Sequence, residues 1–148
     1  MRHAFDADAL IYAAAPGHPL GRRVLALFRA ATPGRAAGIG SVLLLPEVLG
    51  KPLREVLDEP LRGGGTAEIR ALAGLLARLD LRPVDRATAE LATALSSRYG
   101  LRAADATHLA TAVGMGAERF ITNNRRDFGP GIKEIDVTYP DALPDPAG

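Results

Sequence analysis

Short apolar runs alternate along this chain with longer segments of helical periodicity, and that alternation constrains the fold more than any other feature. The runs fall at Ala4-Phe5 and at residues 37–40, 81–84, 119–122 and 135–137. Between the first two, Leu20, Val24, Leu25, Leu27 and Phe28 share one helical face, from which Arg22, Arg23 and Arg29 are largely excluded. Ser41 stands as N-cap of an apolar helix over residues 42–49, which Pro46 is expected to bend by removing a hydrogen bond. Thr66 heads a helix carrying Ile69, Leu72, Leu75, Leu76 and Leu79. Asp85 caps another that stops at Gly100, and a last helix covers residues 103–115. Strands that alternate with helices pair in parallel and need cover on both faces. The expectation is therefore an α/β chain with three layers, α/β/α, around a parallel sheet of about five short strands.

A length of 148 residues suits one domain. It is expected to occupy residues 1–139, with the Pro-rich residues 140–148 as a frayed tail and residues 61–65 as the most flexible internal stretch. Apolar residues at 47% and charged residues at 24% exclude a disordered chain. A net charge of +1 supplies no global field for nucleic acid, so any such contact must come from local basic clusters. The absence of cysteine excludes disulfides, thiolate nucleophiles and thiolate zinc sites, and suits a reducing cytoplasm. No apolar stretch is long enough to span a bilayer, and an N-terminus that meets Asp6 so early does not read as a secretory signal.

In an open parallel sheet, ligands bind beyond the carboxyl ends of the strands. Asp6 and Asp8 follow the first run, while Thr122, Asn123 and Asn124 follow a later one. Glu47 and Asp105 lie on helices with strongly apolar flanks, an unusual place for a freely solvated carboxylate. Each residue also has a plain structural use. Asp6 and Asp8 can form turns, Glu47 can pair with Lys51 one turn on, and Asp105 can favour a helix N-terminus. As a set, they point to carboxylates whose repulsion a hard divalent cation would relieve, and so to metal-assisted hydrolysis.

Four segments resemble the PIN domain family and, within it, the VapC-type toxin ribonucleases. They are Phe5-Asp6-Ala7-Asp8-Ala9-Leu10-Ile11-Tyr12, the stretch from Ser41 to Leu49 around Glu47, Leu101-Arg102-Ala103-Ala104-Asp105-Ala106-Thr107-His108-Leu109-Ala110-Thr111-Ala112, and Phe120-Ile121-Thr122-Asn123-Asn124-Arg125-Arg126-Asp127-Phe128. The resemblance implies an endoribonuclease in which Asp6, Glu47 and Asp105 hold Mg²⁺ or Mn²⁺ while water attacks an RNA phosphodiester. Many members carry a fourth acid two residues after the Thr; here that position is Asn124, and Asp127 is the substitute. Asp8, Thr122 and Asn124 would orient ligands or water, and His108 reads as a packed or hydrogen-bonded helix residue. Arg22, Arg23, Arg125 and Arg126 are the candidates for substrate phosphate, with solvated arginines as the alternative. The resemblance further implies an antitoxin protein over the site and a homodimer.

Two other readings compete. A degenerate PIN-like module would bind RNA or protein without cutting, with Asn124 as the feature in its favour. A haloacid-dehalogenase-like phosphatase would use Asp6 and Asp8, but it needs a later Lys and an acidic pair, and only Lys133 follows Thr122.

Overall fold

A computed structural model of the chain describes residues 1–58 and 65–146; the flexible stretch expected at residues 61–65 lies almost wholly outside them. Five strands, β1 (His3–Phe5), β2 (Gly38–Ser41), β3 (Leu79–Arg82), β4 (Arg119–Ile121) and β5 (Asp136–Thr138), form one sheet in the order β3-β2-β1-β4-β5. Every neighbouring pair is parallel. The helices are α1 (Ala7–Ala14), α2 (Pro19–Ala30), α3 (Leu44–Asp58), α4 (Gly65–Leu76), α5 (Arg86–Tyr99) and α6 (Ala103–Gly114).

Side chains alternate across the central strands, and the two faces therefore build two cores. Phe5 and Ile121 face a cluster with Leu10, Val24, Phe28, Leu44 and Leu72, which places α1 to α4 on one side. Ala4, Ile39 and Phe120 face the other way, onto Leu95, Leu109, Phe128 and Ile135 beneath α5 and α6. Each large apolar side chain buried in this way contributes about 1.5–3 kcal/mol. The three-layer α/β/α architecture expected from the alternating pattern is the one observed.

The strand order matters more for function than the layer count. From β1 the chain builds outward through β2 and β3, then returns to add β4 on the other side of β1. The order reverses between β1 and β4, and such a switch point opens a crevice at the carboxyl ends of the two strands.

Local signals shift by a residue or two. Ser41 is the buried last residue of β2 rather than a simple helix cap, although its Oγ accepts from the Leu43 N–H at 3.1 Å. Pro46 lies in the first turn of α3, where its missing N–H had no partner inside the helix to lose, so the expected bend there has no cause. The proline inside this helix is the buried Pro52. Thr66 sits within the first turn of α4, and Leu79 begins β3 instead of ending a helix. Asp85 does cap α5, accepting from the Thr88 N–H at 2.8 Å, and Gly100 ends it with φ of 66°.

The tail is the larger correction. Residues 140–145 do not fray but pack along α2, starting with a 3-10 turn at Pro140–Ala142. Leu143 is only 2% exposed inside the first core, and Arg23 donates to its carbonyl at 2.7 Å. One buried leucine and backbone carbonyls that meet an arginine outweigh the ordering entropy expected of a Pro-rich end. Leu143→Ala is expected to cost about 2–3 kcal/mol, read as a lower urea midpoint with unchanged slope. A frayed tail would leave the midpoint where it is.

Candidate functional site

Asp6 leaves β1 directly into the crevice between β1 and β4. Its N–H continues the ladder by donating to the Ile121 carbonyl at 2.9 Å, and its side chain then caps α1 by accepting from the Ala7 N–H at 2.9 Å. Its other carboxylate oxygen accepts from the Thr122 hydroxyl at 2.8 Å, and Thr122 is fully buried. The turn-forming use of Asp6 and its place in the crevice are thus both realised by one side chain. Asp8, in the first turn of α1, accepts from the Asn123 N–H at 3.1 Å and so ties the loop after β4 to α1.

The loop after β4 closes on itself. Asn124 donates from its N–H to the Thr122 hydroxyl at 3.1 Å and from its side-chain amide to Asp127 at 2.9 Å, while the Asp127 N–H returns to the Asn124 side-chain Oδ1 at 3.2 Å. Asn124 and Asp127 are therefore joined, and Asn124 presents the Asp127 carboxylate. Asp105 enters from the first turn of α6, half-buried, and its proton is held more tightly by burial and by the charges of Asp127 and Glu47.

Glu47 reaches the site from the first turn of α3. It does not pair with Lys51, which meets Glu55 at 3.9 Å instead. It meets His108, whose Nε2 stands 3.0 Å from Glu47 Oε2. The His108 side chain is 1% exposed, and its Nδ1 has no hydrogen-bond partner among the described residues. His108 is thus packed and hydrogen-bonded, as read from sequence, but no spacing rule named its partner.

The electrostatics are those of a crowded acidic site. Burial raises the Asp6 carboxyl above its ordinary value, with Asp105 adding to the effect against hydrogen bonds from Thr122 and Ala7. Burial and the charge of Asp6 push Asp8 up to about 6. Among the groups that lower these values, the cationic ones are His108 for Asp6, and His108 and Arg102 for Asp105. Burial pulls His108 down, but its bond to Glu47 and the nearby carboxylates win, and its value lies above the ordinary one.

A pH dependence follows with a definite sign. Asp6, Asp8 and Asp105 bind protons more tightly folded than unfolded, so their contribution to stability is complete below the unfolded value of 3.8 and is lost as pH rises through the folded values, about 6 for Asp8. His108 acts in the same direction above 6.5, whereas burial and Arg119 lower His3, which acts in the opposite one. In a chelating buffer, the thermal midpoint is expected to fall by about 3–6 °C between pH 5 and 7.5, with Asp8→Asn flattening the profile. A flat wild-type profile would mean that these carboxylates are as well solvated as in the unfolded chain.

Among the described residues, no three His, Asp or Glu side chains stand as a ready metal-binding group. The donor set nevertheless fits a hard divalent ion. It consists of carboxylates from separate elements that repel one another, and Mg²⁺ keeps several waters while taking only one or two carboxylates directly.

The arginines are placed less uniformly than their sequence positions suggested. Arg22 pairs with Asp145 at 2.9 Å, and Arg23 stands 3.6 Å from the same carboxylate. Arg125 pairs with Asp141 and lies 4.1 Å over the Tyr139 ring. Arg126 is exposed, with no ion pair among the described residues. Sequence reading missed the engagement of three of these arginines by the tail, because acidic residues so far along the chain carry no local signal of that contact.

A family model described as "PIN domain" matches residues 4–129. No match is found among curated proteins. Among solved structures, the chain is similar to one titled "Toxin-antitoxin complex from Klebsiella pneumoniae", at 25% identity and a TM-score of 0.68, over 95% of this chain and 98% of that one. A second similar structure is VapBC2 from Rickettsia felis bound to a DNA fragment from their promoter. There the identity is 16%, the TM-score 0.66 and the coverage 94% of this chain and 98% of the other, a likeness in fold alone.

Proposed function

We propose, on the premise that this chain belongs to the PIN domain family, that it is a metal-dependent endoribonuclease and the toxin half of a VapBC-type toxin–antitoxin pair. What supports this reading is that Asp105 lies near enough to Glu47 and Asp127 for their charges to act on it, and near enough to Asp6 to act on that carboxylate beside the switch point. Mg²⁺ or Mn²⁺ held by these carboxylates would supply the positive charge that stabilises the phosphodiester as it is cut. The chain's own residues set the geometry for that. The Thr122 hydroxyl orients one oxygen of Asp6, Asp8 fixes the loop that carries Asn123, and Asn124 aims Asp127. Arg126 is the cation left exposed for an RNA phosphate, whereas Arg22, Arg23 and Arg125 would first have to leave the tail.

A protein partner is supported by apolar side chains left uncovered on α1 and α3. Ile11 and Leu45 are each 41% exposed, Leu53 45% and Leu57 80%. A groove of about 360 Å³ lined by Ile11, Ala14, Pro16 and Ala71 continues that surface between α1 and α4. An antitoxin helix with an apolar stripe suits it. Assembly as a homodimer belongs to the same proposal, with sedimentation as its check. Among the described residues, no helix is long and apolar enough to cross a membrane.

The test is cleavage of a mixed pool of structured and single-stranded RNAs, with Mg²⁺, with Mn²⁺ and with EDTA. Cutting is expected with either metal and not with EDTA, together with a rise in thermal midpoint on adding Mn²⁺. Neither cutting nor a thermal shift would favour the inert binding module, the reading that Asn124 in place of an acid supports. The phosphatase reading lacks its second acidic pair and is retired by the family match.

A further inference from the structure

We infer that His108 is a positioning residue for Glu47, holding that carboxylate at the acidic crevice from the opposite helical layer. The inference rests on the metal-centre reading above and deepens it. α3 packs with the first core and α6 with the second, so the 3.0 Å contact between His108 Nε2 and Glu47 Oε2 joins the two layers across the end of the sheet.

The partners differ in rigidity. The Glu47 side chain is 34% exposed and has three rotatable torsions, with no hydrogen-bond partner other than His108 among the described residues. The imidazole is 1% exposed, on a helix whose residues 106–112 are all buried, so its ring has little room to move. A fixed donor thereby selects one orientation of a mobile carboxylate.

The other ring nitrogen strengthens the argument. His108 Nδ1 is buried without a partner among the described residues, an arrangement that costs stability and that an apolar side chain in the same place would avoid. Packing alone therefore does not account for an imidazole at this position; the Nε2 contact does. Nor does the contact depend on protonation. Both the cation and the neutral Nε2–H tautomer donate to Glu47, and only the Nδ1–H tautomer would set a lone pair against the carboxylate. Because Asp105 lies one turn before His108, the same bond ties Glu47 to the helix that carries a second candidate ligand.

The experiment uses the full chain as His108→Leu and His108→Gln beside wild type, with Mn²⁺ affinity measured by paramagnetic resonance. His108→Leu is expected to weaken Mn²⁺ binding about tenfold or more, and His108→Gln, whose amide can donate from a similar reach, by no more than about threefold. In EDTA, the urea midpoint of His108→Leu should equal or exceed that of wild type, which separates positioning from a role in folding. Mn²⁺ binding unchanged in His108→Leu, or lost equally in both variants, would overturn the proposal. A wild type that takes up no Mn²⁺ would end the metal reading but still leave the contact measurable without metal. In that case, ¹⁵N spectra of the His108 ring decide, since Glu47→Gln should shift the Nε2 resonance and an unmoved resonance would sink the positioning role.

Discussion

Asp6→Asn is expected to leave the fold intact, to abolish stabilisation by Mn²⁺ and to slow metal-dependent RNA cleavage about 10³-fold or more. The fold survives because asparagine keeps an oxygen for the Ala7 N–H, while the Thr122 hydroxyl can turn to accept from the new amide. The reaction does not survive, because a neutral amide neither attracts a divalent ion as a carboxylate does nor restores the charge balance of the site. Charge stabilisation by a bound ion is worth several kcal/mol, and about 4 kcal/mol corresponds to a factor of ~10³ in rate. In EDTA the same variant should be more stable than wild type at pH 7.5, since a carboxylate disfavoured by burial and by Asp105 has been removed. Asp105→Asn should behave alike, relieving the pressure from Asp127 and Glu47. Rapid-quench cleavage and thermal melts of the two variants, each with Mn²⁺ and with EDTA, are the measurements. Cleavage that persists in both would remove the carboxylates from the mechanism; a gain in EDTA stability with cleavage lost is the joint signature of a charged site.

Gly21→Ala is expected to lower the thermal midpoint by about 10 °C. Gly21 lies where α2 crosses α1, and a Cβ there would stand 1.8 Å from the Tyr12 carbonyl oxygen and 2.5 Å from its carbon. Both obstacles are backbone, so no side-chain rotation can relieve them and the helices must separate. The cost should reach the top of the usual range for overpacking, about 3 kcal/mol, which for a chain of this size is about 10 °C. α1 carries Asp8 and is capped by Asp6, so a displaced α1 should also weaken Mn²⁺ binding. Gly50→Ala is the control. That helical glycine has nothing within 4 Å of the added Cβ, and the substitution should raise stability by about 0.5–1 kcal/mol. Equal melting of the two variants would mean that the α1–α2 crossing is looser than its geometry indicates.

Much of the architecture could be read from residues close together in the chain. Asp85 and Gly100 bound α5 because a cap acceptor and a left-handed stop act within one turn of themselves. The apolar runs became strands within a residue or two of their expected places, since alternation across a sheet is a local pattern. The misreadings also have local causes. The bend expected at Pro46 does not arise because the helix starts at Leu44, two residues later than the apolar run suggests. A Pro-rich composition suggests a frayed tail because it does not reveal that Leu143 finds a place in the core.

The site divides along the same line. Asp6, Glu47 and Asp105 were identifiable as chemically suited residues from their type and from the apolar strand or helix segments beside them, whereas Asp127 was reached only through the resemblance to the PIN family. Their neighbours were not. That Thr122 bonds Asp6 depends on β4 returning to lie beside β1, and strand order is settled by which crossovers pack, not by any strand's own residues. That Glu47 turns to His108 rather than Lys51 was decided by burial, because a packed imidazole holds a carboxylate better than an exposed lysine one helical turn away. That Asp141 and Asp145 occupy Arg125 and Arg22 depends on where a buried leucine anchors the end of the chain. The sequence by itself determined the periodicities, the caps and the supply of carboxylates, because those effects act over a few residues. Only the tertiary structure decided which charges meet, because proximity between distant residues is set by the packing of the whole sheet and its two helical layers.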